Sequence, residues 1–477
     1  MFDFTHQENF HHDFAFQPLL FFQHSRLGPC IAAANVDGIS GDEIFIGGAK
    51  GFAGKLFSEN KNGTWSSIDF PDTEKEDTGA TFFDYDLDGD LDLYVMSGGS
   101  EFSAKENLKD RIYLNDGAGN FSKAEIKNLP QSSGSCVIAA DFDSNKNIDL
   151  FVGGRVEPKS YPKIPESALL VKFRGEIYNY ADKLANQLRR EAMVSDAIWV
   201  DFDNDNKTDL VTVGEWSPIN FYKNSGGGYL KKLETNLPAG LWNCIETEDF
   251  DNDGDMDFLI GNLGKNTRLY ASKTEPLRIY NNDFDQNGSI DPIIGQYVQN
   301  QKGERKSYPI HSRDGITRQL VKTKKKYGKY ADFAKATFND IVGNDPKNEH
   351  RITNLESVYV ENLGDGKFSI SSLPQAAQIA PIKDILAGDF DKDGNMDALL
   401  VGNDLSAEKI WGWYDAFNGL FLKGNGNGTF TEISTDKSGF FVEGDARTLT
   451  EFENRTGEKG IIVGQNSGKV KFFKAYK

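Results

Sequence analysis

Six nonapeptides in this chain repeat oxygen-bearing side chains at odd positions: DYDLDGDLD at 84–92, DFDSNKNID at 141–149, DFDNDNKTD at 201–209, DFDNDGDMD at 249–257, DFDQNGSID at 283–291 and DFDKDGNMD at 389–397. Side-chain oxygens at positions 1, 3, 5 and 9, with the main-chain carbonyl of position 7, can converge on one hard cation of calcium's size, which takes roughly six to eight oxygen ligands. Three or four carboxylates that close repel one another without a cation. The predicted sets are Asp84, Asp86, Asp88 and Asp92 with the carbonyl of Asp90; Asp141, Asp143, Asn145 and Asp149 with Asn147; and Asp201, Asp203, Asp205 and Asp209 with Lys207. They continue with Asp249, Asp251, Asp253 and Asp257 with Asp255; Asp283, Asp285, Asn287 and Asp291 with Ser289; and Asp389, Asp391, Asp393 and Asp397 with Asn395.

Position 6 is Gly89, Gly254, Gly288 or Gly394 in four loops, where a residue free to adopt positive φ lets the chain turn sharply. Asn206 tolerates that conformation, and Lys146 suits it least. Magnesium would demand a near-octahedral cage with several waters, and zinc or manganese would more often recruit histidine. All six histidines lie outside the loops, so calcium fits best, at about five or six structural ions. Two weaker relatives frame the series. In NVDGISGDE at 35–43, Ile39 replaces an oxygen ligand; in EFENRTGEK at 451–459, Arg455 and Lys459 put cations where ligands belong, neutralising Glu451 and Glu453. The last loop is expected to hold no metal, and the first a weak one or none.

Each loop must be positioned by the strands around it. A short apolar segment precedes every loop, and a run such as IFIGG, LFVGG or IIVG follows. Most repeats then add a glycine-rich hairpin ending in an aromatic, as in RIYLNDGAGNF, NFYKNSGGGY, VYVENLGDGKF and LFLKGNGNGTF. Four antiparallel strands per unit is the blade pattern of a propeller, in which stacked neighbours bury the faces one unit cannot. The predicted fold is all-β: an eight-bladed, alternatively seven-bladed, β-propeller of four-stranded blades filling residues 1–477 as one domain. Loop spacings of 49, 57, 60, 48, 34, 106 and 62 residues place a minor insertion at 155–192 and a basic, partly helical one at 296–350. The 34-residue gap suggests a reduced outer edge for the blade starting near Trp242.

The net charge is −19, and six calcium ions would bring it to −7. So acidic a chain excludes a nucleic-acid partner. Cys30, Cys136 and Cys244 each sit five residues before a loop, and an odd count at one equivalent position reads as core packing rather than a disulfide framework. No apolar run is long enough to span a membrane, and residues 1–12 lack the pattern of a signal peptide, which is taken to have been trimmed. The segment 302–335 carries eleven Lys and Arg against Glu304, Asp314 and Asp332, a local +8. It reads either as a solvated helical cap or as a dock for an anionic glycan or acidic partner. Trp216, Trp242, Trp411 and Trp413 could stack on sugars or fill gaps between blades.

The loops with their glycine-ended strands resemble the FG-GAP/VCBS repeats of integrin α-subunit propellers and exported bacterial proteins. GGRVEPKSYPKIPESALL at 153–170, MVSDAIWVDFDNDNKTDLVTVGEWSPI at 193–219 and LRIYNNDFDQNGSIDPIIGQY at 277–297 extend the resemblance to the bacterial ASPIC/UnbV, cartilage-acidic-protein-like group. The resemblance implies a secreted or surface-attached, calcium-stabilised binding or scaffold propeller that recognises a protein or glycan, with no catalysis and a monomer expected; a C-terminal module common in the group is expected to be missing. Some related propellers are polysaccharide lyases, and that alternative would need a base near the channel, for which His311 and Arg313 in YPIHSRDG are the compact candidates.

Overall fold

The computed structural model describes residues 1–102, 104–185, 187–343 and 348–474. Eight antiparallel sheets form, as the eight repeats predict, and the chain is a β-propeller with helical insertions. The innermost strands are Ile31–Ala34, Asp77–Phe83, Ser133–Ala140, Met193–Val200, Cys244–Glu248, Ile382–Gly388 and Ala446–Glu453. Each lies against the next in this order, and Ala446–Glu453 returns to Ile31–Ala34. Seven sheets therefore close the ring, the smaller of the two blade numbers the repeats allow. The last of them has three strands, and the fourth gains Ala239–Leu241 as an extra strand on Asp209–Pro218.

The eighth sheet is inserted into the fifth blade. That blade's two inner strands, Cys244–Glu248 and Asp257–Gly261, pair with outer strands supplied by Val358–Asn362 and Phe368–Ser372. Between Gly261 and Val358 the chain builds a separate sheet in the order Arg305–Pro309, Ile294–Gln299, Leu277–Tyr280, Glu349–Ile352. The insertion is thus wider than 296–350, and the fifth blade keeps its outer edge. The acidic loop at 283–291 belongs to the inserted sheet: the short 34-residue spacing before it marks an interrupted blade. Residues 155–192 are likewise not an insertion, because Ala168–Phe173 and Glu176–Asn179 are the outer half of the third blade. Their hairpin turns on Arg174 and Gly175 alone, both at positive φ, and lacks the longer glycine signature.

Blade stacking buries apolar side chains contributed by neighbouring sheets. Val211, Val213 and Phe221 of the fourth blade pack with Phe258, Ile260 and Val360 of the fifth. Along the inner ring, polar side chains bridge blades: Thr78 donates to Gly134 O (2.9 Å), Ser135 to Val194 O (2.7 Å) and Ser195 to Trp242 O (2.8 Å), while Asp384 accepts from Leu449 N (2.6 Å). Cys136 and Cys244 are buried and Cys30 half-buried; all three thiols are free, and burial pushes each well above its ordinary pKa. No helix among the described residues is long and apolar enough to cross a membrane.

Candidate metal centres

In every ring blade with an acidic loop, the first and second strands have the same register. Phe83 pairs with Asp92, Ala140 with Asp149, Val200 with Asp209, Glu248 with Asp257 and Gly388 with Asp397. The residue before position 1 is therefore always opposite position 9, and the hairpin itself brings the two ends of the nonapeptide together. Because all are turns between first and second strands, these five loops share one face of the ring.

Inside the loop the position-1 carboxylate organises the turn. Asp249 accepts from Asp253 N (3.1 Å) and Gly254 N (3.0 Å), Asp389 from Asp393 N (3.0 Å) and Gly394 N (3.0 Å), and Asp283 from Asn287 N (3.1 Å) and Gly288 N (2.7 Å). Position 6 has positive φ in every loop, Lys146 included at 70°. Position 4 does too, in Leu87, Ser144, Asn204, Asn252, Gln286 and Lys392. That second left-handed residue carries no sequence signature, and only Asn204 and Asn252 are of a type that readily takes such backbone.

This double turn aims the odd-numbered carboxylates inward. Oxygens of Asp84, Asp86 and Asp92 lie within 4.8 Å of one another, and so do those of Asp141, Asp143 and Asp149; Asp201, Asp203 and Asp209; Asp249, Asp251 and Asp257; and Asp283, Asp285 and Asp291. Positions 1, 3 and 9 are thus brought together, a donor set of hard oxygens suited to calcium. The position-5 side chain stands beside the triad and accepts from the amide of position 7, as Asp88 does from Asp90 N (3.1 Å) and Asp253 from Asp255 N (2.9 Å).

Position 9 is the buried member. Asp92, Asp209, Asp257, Asp291 and Asp397 are fully enclosed. Burial raises these carboxyls: Asp92, Asp257 and Asp291 to about 6, Asp209 to about 7 and Asp149 to about 8. Each also ties the loop to its surroundings. Asp257 accepts from Tyr359 Oη (2.6 Å) and Asn362 N (2.8 Å), and Asp209 from Asn224 N (2.6 Å).

The asparagine that ends the third strand extends this link to the next blade. Asn362 Nδ2 donates to Met256 O of its own loop (3.3 Å) and to Phe202 O of the preceding loop (2.7 Å). Asn224 bridges Thr208 O (3.0 Å) and Phe142 O (2.6 Å), and Asn115 bridges Leu91 O (3.2 Å) and Val36 O (2.7 Å). The position-4 side chains add a second tie, from Asn204 Nδ2 to Asp255 Oδ1 (2.6 Å) and from Asn252 Nδ2 to Asn395 Oδ1 (3.0 Å). The shared Asn of YLN, YKN and VEN was the visible signal; its role was not readable without knowing which blades touch.

Among the described residues, lysines of the chain already pair with carboxylates of two of the six loops. Lys223 meets Asp203 and, at 3.3 Å, Asp205; Lys207 is 2.7 Å from Asp205. Lys423 bonds Asp391 and lies 2.6 Å from Asp393. In the last blade Lys459 pairs with Glu451 as expected. Arg455 does not neutralise its own loop: it crosses the ring closure to Asp37 of the first blade at 3.0 Å. A protein cation thus occupies the seam between the two degenerate loops.

The central channel holds a cavity of about 240 Å³ lined from all seven blades, Thr78, Ser135, Asp196 and Thr448 among them. Charges at its mouth are paired, Arg155 with Glu215 (2.6 Å), Lys383 with Asp404 (2.9 Å) and Arg447 with Asp445 (2.7 Å). Leu27 and His24 of the N-terminal segment cover this end. His311 and Arg313 do not form a catalytic pair. His311 is buried, its Nε2 accepts from Ile294 N (3.2 Å), and burial lowers it to about 4; Arg313 donates to Tyr327 O (2.7 Å). Trp216 and Trp242 are buried with their indole N–H groups bonded to Tyr161 Oη (2.6 Å) and Ser217 O (3.0 Å), whereas Trp413 is exposed.

A propeller of calcium-type acidic loops is the class that strand pairing and donor set together define. The FG-GAP-like repeat model matches residues 201–260, from the acidic loop 201–209 through the second strand of the fifth blade. No curated protein matches significantly in sequence. Among solved structures, an Agrocybe aegerita lectin that recognises non-reducing terminal N-acetylglucosamine is 12% identical with a TM-score of 0.41, covering 86% of this chain and 79% of its own. The Vibrio cholerae biofilm matrix protein Bap1 is 11% identical with a TM-score of 0.37, covering 96% and 89%. BBS1N in its complex with ARL6DN is 9% identical with a TM-score of 0.39, covering 96% and 95%. Likenesses this distant carry nothing about function.

Proposed function

We propose that this chain is a calcium-stabilised extracellular propeller that serves as a binding scaffold for a protein or glycan, without catalysis of its own. The observation that carries the reading is the repeated convergence of the position-1, -3 and -9 carboxylates within 4.8 Å. In this reading the residues at positions 1, 3, 5 and 9 of all six loops are ligands, completed by the position-7 carbonyl. Each ion neutralises acids that otherwise repel, and Asn115, Asn224 and Asn362 latch neighbouring ring loops together, so ions in those loops stiffen the ring as a set. Millimolar free calcium is the outer medium's condition, which suits a secreted or surface-attached location. The sequence stretches shared with the ASPIC/UnbV, cartilage-acidic-protein-like group agree with that placement.

The test is metal analysis with calorimetry. Protein equilibrated in calcium and desalted should retain about five or six ions per chain, and chelation should lower the unfolding temperature, since a ligand of the folded state stabilises by mass action. No retained calcium together with an unchanged unfolding temperature would sink the proposal.

A further inference from the structure

The acidic loop at 283–291 differs from the others in its company. It lies outside the ring, between Leu277–Tyr280 and Ile294–Gln299 of the inserted sheet. Where ring loops 84–92, 201–209 and 249–257 are latched by a third-strand asparagine, this one is held by the basic segment that follows it. Gln319, the last residue of the helix Arg313–Gln319, donates to Asp291 Oδ1 (2.7 Å), and Lys322 Nζ donates to Asp285 O (2.9 Å). The same helix buries Ile316 and, just beyond it, Leu320 with Tyr280 and Ile293 of the loop's flanks, joined by Phe338 and Val342. Loop and basic cap are one packing unit.

The outer side of that unit is cationic. Arg318, Lys322, Lys324, Lys325, Lys326 and Lys329 are exposed. The ammonium groups of Lys324, Lys325 and Lys329 form no ion pair or hydrogen bond among the described residues, while the chain as a whole is strongly acidic. Amid these cations Tyr330 is 63% exposed yet fixed: its hydroxyl donates to Asp314 Oδ2 (2.7 Å) and the Arg313 guanidinium lies 5.0 Å from its ring centre. A rigid exposed ring among unpaired ammonium groups suits an acidic saccharide, whose C–H face stacks on the aromatic while its sulfate or carboxylate meets a lysine. An acidic polypeptide would use the lysines but has no such need of the ring.

Resting on the calcium reading above, we infer that this cap is a docking surface for an anionic polysaccharide and that calcium in loop 283–291 controls it. Without the ion, Asp283, Asp285 and Asp291 offset part of the cap's positive field and draw Lys322 inward; with it, the acids are neutralised and the helix they anchor is held in place.

The experiment is fluorescence anisotropy of the full chain with labelled heparin oligosaccharide or labelled poly-glutamate, at low ionic strength, in calcium or in chelator. Lys324→Glu/Lys325→Glu/Lys329→Glu touches no packed residue and should weaken heparin binding roughly tenfold or more. Tyr330→Ala should weaken heparin binding several-fold and leave poly-glutamate unchanged. Wild-type affinity for heparin should fall on chelation, whereas Asp283→Asn/Asp285→Asn, which lacks both the ligand charges and the charges that offset the cap, should bind heparin equally in calcium and in chelator. Absent heparin binding, or binding indifferent to the triple variant, overturns the surface. Equal sensitivity of both probes to Tyr330→Ala overturns the saccharide, and equal wild-type affinity in calcium and chelator overturns the control. Unfolding temperatures on the same samples separate this from the broader reading: a triple variant that keeps its calcium-induced rise leaves the calcium propeller standing even if heparin fails.

Discussion

Replacing Asp257 by asparagine should change stability in opposite directions with and without calcium. Asp257 is fully enclosed, and its two oxygens accept from Tyr359 Oη (2.6 Å) and Asn362 N (2.8 Å). Asparagine preserves both contacts, because its carbonyl accepts from Asn362 N while its amide donates to the tyrosine oxygen. What it removes is the charge. Burial holds the Asp257 carboxyl at about 6 against an ordinary 3.8, so a calcium-free protein at pH 7.5 keeps this carboxylate ionised at a cost. Two pKa units correspond to about 3 kcal/mol; discounted for solvent reaching the open side of the loop, the cost is about 1–2 kcal/mol. Asp257→Asn should therefore be about 1–2 kcal/mol more stable than wild type in chelator. In saturating calcium the comparison reverses: a site filled at a hundred times its Kd contributes about 2.7 kcal/mol, and losing a charged ligand forfeits much of it. Urea unfolding at pH 7.5, in millimolar calcium and in chelator, reads both values. Equal destabilisation in both media would mean that Asp257 serves only as a hydrogen-bond acceptor, and the metal reading of this loop would fail.

The same burial makes stability depend on pH. Asp149, Asp209, Asp92 and Asp291 have folded pKa values raised to about 8, 7, 6 and 6, so their neutral forms are favoured in the fold. Calcium-free protein should thus lose stability as pH rises from about 4 to 8, while calcium flattens the curve; a calcium-free maximum above pH 7 would contradict this. Asn362→Ala should cost about 2–4 kcal/mol in either medium, because it strips two buried carbonyls, Phe202 O and Met256 O, of their donor, and urea unfolding that finds under 1 kcal/mol would refute the latch. Arg111→Met should cost about 3–5 kcal/mol, since it leaves Asp77 charged and unpaired where the two now meet at 2.7 Å; restoring stability with Asp77→Asn in the double variant would confirm the cause, and an additive loss would refute it.

The loops and strands were legible because their chemistry is local. Position 9 follows position 1 at a fixed distance, and a hairpin alone brings Asp84 beside Asp92, so triads such as Asp84, Asp86 and Asp92 could be named from spacing. The ring number depended on something non-local. The sixth repeat, LRIYNNDFDQNGSIDPIIGQY, has strand, loop and strand like its neighbours, yet Leu277–Tyr280 pairs with Ile294–Gln299 and Glu349–Ile352 and never enters the ring. Nothing within the repeat says so; the sign lies 100 residues on from the fifth loop, where Val358–Asn362 pairs back onto Asp257–Gly261. Arg455 shows the same limit. Its cationic character predicted a metal-free loop, but its partner is Asp37, distant in sequence and adjacent only because the ring closes.

That closure suggests why the two terminal loops have lost their ligands. In the ring interior a loop can rely on both neighbours: Asn362 ties loop 249–257 back to Phe202 O, and Asn252 ties it forward to Asn395. At the seam no single stretch of chain continues from one loop to the next, and the blades must find each other after both have formed. A bridge from Arg455 to Asp37, with Asp42 accepting from Glu453 N at 2.7 Å, joins them with groups the chain itself supplies. A metal in the first loop would compete with Arg455 for Asp37 and so weaken the seam. The degenerate loops are on this argument a closure device, with Arg455 bridging two blades as the proposed metal would bridge the ends of one loop. Arg455→Ala should accordingly lower the unfolding temperature of the whole ring, not of the last blade alone, and a separate early transition in calorimetry would show the argument to be wrong.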